Sequence, residues 1–210
     1  HTFEQNAVHW GEGTNMPQEE NLSSKKIEDA ALALISEKGY ANVSMRDIAG
    51  AAGVALSQIN YHYGSKEGLF IALARRVAKE IADDIVARCR PSDAMTTAEE
   101  RVAFLRGYAF EIVTKNAALY RLRVDLANLA MWSESIRAEQ RKILDEVLSV
   151  VAELIAKDAD CLVITQNRTP REAADIILAF VFGFSSLYFE TGSSAAAQAA
   201  LEYLKDMLAL

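Results

Sequence analysis

Residues 44–70 read SMRDIAGAAGVALSQINYHYGSKEGLF. Ser44 followed three positions later by Asp47 has the spacing of a capping box, so the stretch opens with a helix start. Ile48, Ala49 and Ala52 give that helix an inner face, and Gly53 stops it. A short helix is predicted from about Ala55 to Tyr63, closed by Gly64. Ser65 then caps a longer helix from Lys66 to about Cys89. Small Ala49 allows two short helices to cross closely, and Gly53 accepts the positive φ of a tight turn. Together they have the geometry of a helix-turn-helix.

The second of these short helices has two faces. Val54, Ile59 and Tyr63 are spaced to pack inward, leaving Leu56, Ser57, Gln58, Asn60, Tyr61 and His62 on the outer side. Amides, hydroxyls and an imidazole on one exposed face are the groups that base edges and phosphates require. Cations also fall where helix starts are expected: Lys25 and Lys26, Arg46, and Lys66. A cation in a first helical turn opposes the macrodipole at a cost of roughly 0.3–1 kcal/mol. An external phosphate backbone would reverse that sign, while Glu28, Asp29, Asp47 and Glu67 offer a local alternative.

Upstream, Ile27, Ala30, Ala31, Leu34 and Ile35 recur on one helical face from Leu22, and Gly39 ends the run. Residues 1–21 lack apolar periodicity and read as a disordered tail, or as a cloning remnant ahead of Met16. Downstream, Pro91 and the polar run RPSDAMTT mark the clearest boundary. Helices are expected at about 96–115, 117–132, 135–158, 170–190 and 194–209, with no confident strand. The chain therefore reads as all-α, with a helix-turn-helix domain over 22–66, a connecting helix over 67–90 and a larger helical domain over 91–210.

Composition narrows the function. The net charge of −7 disfavours nucleic acid as a partner for the surface as a whole. By region, however, residues 22–90 carry ten Lys and Arg against eight Asp and Glu, while residues 91–210 carry twelve against seventeen. Residues 1–21 add four Glu and no base, so the acidity lies outside the helix-turn-helix. Cys89 and Cys161 form no disulfide framework or zinc-ligand set, which suits a cytoplasmic protein. The apolar run IILAFVFGFSSLYF is shorter than the roughly 20 residues of a membrane span, so no membrane partner is expected.

Catalytic parts are missing too. His62 has no nucleophile or orienting acid beside it, GFSSL lacks the second glycine of a nucleophile elbow, and DAD at 158–160 is too short for a calcium loop. His1 and His9 are isolated. No catalytic residue, metal site or cofactor is expected.

The stretch 44–70 resembles the DNA-binding signature of the tetracycline-repressor (TetR) family of bacterial transcription regulators, and with the preceding helix the resemblance covers about the first third of the chain. It implies a homodimer placing one recognition helix per subunit in successive major grooves of a double-stranded, pseudo-palindromic operator. Carried over by position, Ser44 and Arg46 would touch the DNA backbone. Leu56, Ser57 and Gln58 would approach bases; Asn60, Tyr61 and His62 would hold bases or phosphates; Lys66 would hold a phosphate. Ala55 stands where many members have a Ser or Thr cap. Asn60 stands where tyrosine is commoner, which opens adenine readout. The family further implies a repressor released by a small molecule. An activator, or a helical small-molecule-binding or adaptor protein that never touches DNA, remain alternatives.

The C-terminal region fits a dimer and a sensor. In RKILDEVLSVVAELIA, Leu144, Val147, Leu148, Val151 and Leu154 belong to an apolar arc wide enough for burial on two sides. Ile176, Phe180, Gly183, Phe184 and Leu187 give the segment 173–189 a similar character. Two such helices per subunit would make a four-helix interface, although a purely intramolecular core reads the same way. Phe104, Tyr108, Tyr120, Arg123, Asn128 and Trp132 mix aromatic surface with a few polar groups, as small-molecule sites do.

Overall fold

A computed structural model describes residues 18–88, 100, 107–108, 110–112, 114–157, 168–192, 195 and 199. The expectations for residues 1–17, Cys89, the Pro91 boundary, Phe104, residues 158–160, Cys161 and most of 96–106 and 194–209 lie outside the described residues. Among the described residues all regular structure is helical. The helices are α1 (Gln18–Lys38), α2 (Met45–Ala52), α3 (Leu56–Tyr63), α4 (Lys66–Arg88), α5 (Ala117–Trp132), α6 (Glu134–Lys157) and α7 (Pro170–Thr191). A 3-10 turn covers Tyr40–Asn42, and the described positions of 107–115 are helical.

By backbone contact the chain groups into two compact units. One comprises the residues through Glu80 with Leu122–Glu146, and the other comprises Ile81–Arg121 with the residues from Val147 on. This grouping runs along different lines from the sequence punctuation, because Leu122–Glu146 goes with the N-terminal helices. Two polar ties show why. The Tyr40 N–H donates to Asp125 Oδ2 at 2.8 Å, and Arg75 pairs with Glu139.

In the first unit, Ile27, Ala31 and Ile35 put the inner stripe of α1 into the core, where Ile48, Ile59, Leu69, Phe70 and Leu73 are buried as well. Each buried Ile, Leu or Phe among them contributes roughly 1.5–3 kcal/mol, so these few positions fix how α1 to α4 meet. The α2 start is the expected capping box. Ser44 Oγ accepts from the Asp47 N–H at 3.2 Å, and Asp47 Oδ2 accepts from the Ser44 N–H at 2.8 Å. The Ser44 hydroxyl, which donates to Asp47 Oδ2 at 2.6 Å, and then the Ser44 N–H hold the Asp47 carboxyl below its ordinary range. Gly53 ends α2 at φ 67°, and the Val54 N–H returns to the Ala49 carbonyl at 3.1 Å.

α1 begins at Gln18, ahead of the expected Leu22. Lys25 and Lys26 therefore lie well past its first turn, and the macrodipole argument does not apply to them. Of the cations named above, Arg46 and Lys66 remain in first turns.

In the second unit, Leu148, Val151 and Ile177 pack against Ile155, Ala173 and Ala174. Phe110 and Phe180 pack against buried Phe184. Thr169 caps α7 through a box with Glu172, with Pro170 in its first turn. α7 is 22 residues long, so by length and composition alone it could cross a membrane. The helix reaches that length because it extends beyond the apolar run at both ends. Only 22% of its most apolar window is buried within one chain.

Candidate nucleic-acid interface

α3 is held by one fully buried side chain, Ile59, and by αL or related glycines on both sides, Gly53 and Gly64. With Ile59 fixed inward, the helical period sends Ser57, Gln58, Asn60 and Tyr61 outward, and all four are exposed. Tyr61 is 80% exposed, a placement that adds nothing to the core. Leu56 and His62 are half-buried at the margins of this face. His62 meets the Tyr61 ring edge-on at 5.3 Å. Ser44 and Arg46 are exposed at the start of α2. Among the expected DNA contacts, Lys66 is placed differently from the rest.

Lys66 turns toward the protein. Its Nζ donates to the Tyr40 carbonyl at 2.5 Å and stands 4.1 Å from the Tyr40 ring centroid. Burial pushes the Lys66 pKa below its usual value, against the opposing pull of Asp125 and Asp47. The local alternative to an outside phosphate is thus available to this cation. A backbone carbonyl, an aromatic face and two carboxylates supply internal partners.

Tyr63 does pack inward as expected, and its hydroxyl joins a polar network that no local spacing announces. Tyr63 Oη donates to Glu28 Oε1 at 3.0 Å and to the Ser24 carbonyl at 3.3 Å. Arg76 of α4 lies 3.3 Å from Glu28 and 2.8 Å from Asp29. The Arg76 Nε approach to Glu28 has ion-pair distance without hydrogen-bond geometry. Burial pushes the Glu28 carboxyl up, with the Tyr63 hydrogen bond and Arg76 acting in the opposite direction. Burial first, and then Glu28, push the Tyr63 phenol up as well. This network ties the end of the exposed helix to both α1 and α4.

The expected small-molecule residues are not brought together in one unit. Tyr108 and Tyr120 belong to the second unit, whereas Arg123, Asn128 and Trp132 belong to the first. Tyr108 is buried and donates to Asp84 Oδ2 at 2.7 Å, with the Arg88 guanidinium 5.3 Å from its ring centroid. Tyr120 stacks on Phe189 at 4.5 Å, and its hydroxyl reaches Glu190 at 3.4 Å. Asn128 is exposed and Trp132 is 84% exposed, which is not how a residue lining an enclosed pocket sits.

Among the expected interface residues, Val147, Leu148, Val151, Leu154, Ile176 and Phe180 are half-buried within one chain. Gly183 and Leu187 are exposed. Leu144 is half-buried and lies in the first unit, apart in grouping from the others. Phe184 is buried inside its own chain, against Phe110 and Phe180, so it serves the core.

Residues 27–73 match the family model for bacterial regulatory proteins of the TetR family. That span runs from the first core residue of α1 through the exposed helix to the start of α4. Over that span the chain resembles the TetR-family regulators. A curated relative, the HTH-type transcriptional regulator BetI of Rhizobium meliloti (strain 1021), is 35% identical over 126 residues. The match spans 60% of this chain and 58% of that regulator, less than two thirds of its length. Two solved structures share the fold of this chain. A transcriptional regulator from Saccharomonospora viridis in complex with choline aligns with TM-score 0.67 at 20% identity, covering 90% of this chain and 96% of that one. The regulator FadR of Bacillus subtilis in complex with stearoyl-CoA aligns with TM-score 0.66 at 21% identity, covering 86% and 96%.

Two features of the TetR-family domain escaped the sequence reading. Tyr63 and Glu28 are 35 residues apart, and no local pattern pairs a phenol with a distant carboxylate. Gln58 also does a second task. Its Oε1 accepts from the Ala55 N–H at 3.2 Å. The signal for that was present, since glutamine three residues after an N-cap is half of a capping box.

Proposed function

We propose that this chain is a ligand-responsive transcriptional repressor that binds a pseudo-palindromic operator as a homodimer and leaves it when a small molecule binds. The observation that carries the reading is the exposed polar face of α3, with Tyr61 80% open to solvent above a fully buried Ile59. Ser57, Gln58, Asn60 and Tyr61 would meet base edges and phosphates, flanked by Leu56 and His62, with Ser44 and Arg46 on the DNA backbone. Residues 22–66 would act as the DNA-binding domain, 67–90 as the connecting helix and 91–210 as the effector and dimer region. The protein would work in the cytoplasm.

Dimerisation is supported by α7, where Ile176 and Phe180 are half-buried and Gly183 and Leu187 exposed in one chain. A second copy placing Ile176, Phe180, Gly183 and Leu187 with Val147, Leu148, Val151 and Leu154 would cover it by symmetric helix packing. An effector is supported by the ligand-bound neighbours. One shared fold holding choline and stearoyl-CoA says that ligand chemistry is set by side chains rather than by architecture. Successive half-sites lie roughly 34–36 Å apart, so a small change in recognition-helix separation suffices to weaken binding. Effector and operator then weaken each other by the same factor.

Mobility shift with genomic fragments at several salt concentrations tests the reading. Specific retardation lost in Gln58→Ala and Tyr61→Ala is expected. Retardation indifferent to both substitutions would remove α3 from the interface.

A further inference from the structure

Gln58 is the third residue of α3, exposed, and bent back on the helix start. Ala55 at the N-cap has no side-chain oxygen, so the Gln58 bond to the Ala55 N–H is the side-chain contribution to this cap among the described contacts. Only the amide oxygen can accept an N–H, which fixes the orientation of the group. The Oε1 end faces the protein, and the Nε2 end, with two protons to donate, is the end left for DNA. Asn60 has no such tie among the described contacts, so its amide can present both ends.

An amide that recognises adenine uses both ends, accepting from N6 and donating to N7. Gln58 in its capping position supplies only the donor. Guanine presents two acceptors side by side, O6 and N7, and is the base edge that matches a two-proton donor best. Resting on the operator-binding reading above, we infer that Gln58 specifies guanine through Nε2 while its Oε1 keeps the recognition helix capped. One side chain thus holds the helix start and reads a base, and the cap decides which base it reads.

The test selects binding sites from a randomised DNA duplex pool with the full-length chain. The position read by Gln58 is the one whose preference disappears in Gln58→Ala. Guanine at that position is expected, with binding weakened on the order of tenfold when 7-deazaguanine replaces it. Gln58→Glu keeps an oxygen for the Ala55 N–H and removes the donor, so it should melt like the wild type and lose the guanine preference. Ala55→Pro removes the N–H that holds the oxygen, at a φ of −70° that proline adopts. It should shift preference from guanine toward adenine on the order of tenfold. Adenine at the Gln58 position in the wild type, or no dependence on Gln58 at any position, overturns the inference while leaving the operator reading intact. Failure to enrich any sequence overturns the operator reading itself.

Discussion

Tyr63→Phe is the sharpest probe of how the exposed helix is held. The substitution keeps the ring at the end of α3 and removes only the hydroxyl that donates to Glu28 at 3.0 Å and to the Ser24 carbonyl at 3.3 Å. A hydrogen bond to a charged group is worth about 1.5–3 kcal/mol when buried, and a neutral one about 0.5–1.5. Tyr63 and Glu28 are half-buried, so competition with water brings the expected loss down to about 1–2 kcal/mol. For a chain of this length that corresponds to a fall of roughly 2–8 °C in Tm, at about 2–4 °C per kcal/mol. Thermal and urea unfolding should be followed by circular dichroism at one fixed protein concentration, since a dimer melts with concentration. A cycle with Glu28→Gln isolates the pair, and a coupling of about 1 kcal/mol is expected for groups in direct contact. Unchanged stability in Tyr63→Phe, or an equal loss in both backgrounds, would refute the network as a tie between α1, α3 and α4.

Three further outcomes follow from the same unit. Gly68→Ala should destabilise the protein although alanine gains about 1 kcal/mol of helix propensity. An added Cβ would run into the Tyr63 carbonyl oxygen, a backbone atom that cannot swing aside, and overpacking of this kind costs about 1–3 kcal/mol; a raised Tm would contradict this. Lys66→Met should lower Tm and leave the salt slope of DNA binding unchanged, because its ammonium is bonded to Tyr40. A slope reduced by about one would instead mark Lys66 as a phosphate contact. Glu28 titrates above its ordinary value of 4.5 in the folded chain. The folded state then binds its proton more tightly than the unfolded state, so Glu28 favours folding increasingly as pH falls through the raised value toward 4.5. Wild-type stability relative to Glu28→Gln should therefore grow in that window, and urea unfolding showing it shrink would contradict the sign.

The helix-turn-helix was legible because its determinants are local. Ser44 with Asp47, Gly53, Ile59 and Gly64 each act within a few residues, and each lies where the sequence put it. The internal partners of Lys66 were hidden for the complementary reason. Its partners Tyr40 and Asp125 come from distant segments, and a sequence shows only the helix start on which the lysine stands. The grouping of Leu122–Glu146 with the N-terminal helices was hidden in the same way, because it depends on contacts such as Tyr40 with Asp125. Aromatic residues at helical spacing could not distinguish a pocket from a core or an open surface. Tyr108 is core, while Trp132 faces solvent.

The central claim is that α3 reads DNA in pairs. Hydroxyl-radical footprinting of a bound genomic fragment tests it most directly. The account expects two protected patches on one face of the duplex, centred roughly 34–36 Å apart, both lost in Tyr61→Ala. A single or uniform protection that Tyr61→Ala leaves unchanged would contradict it.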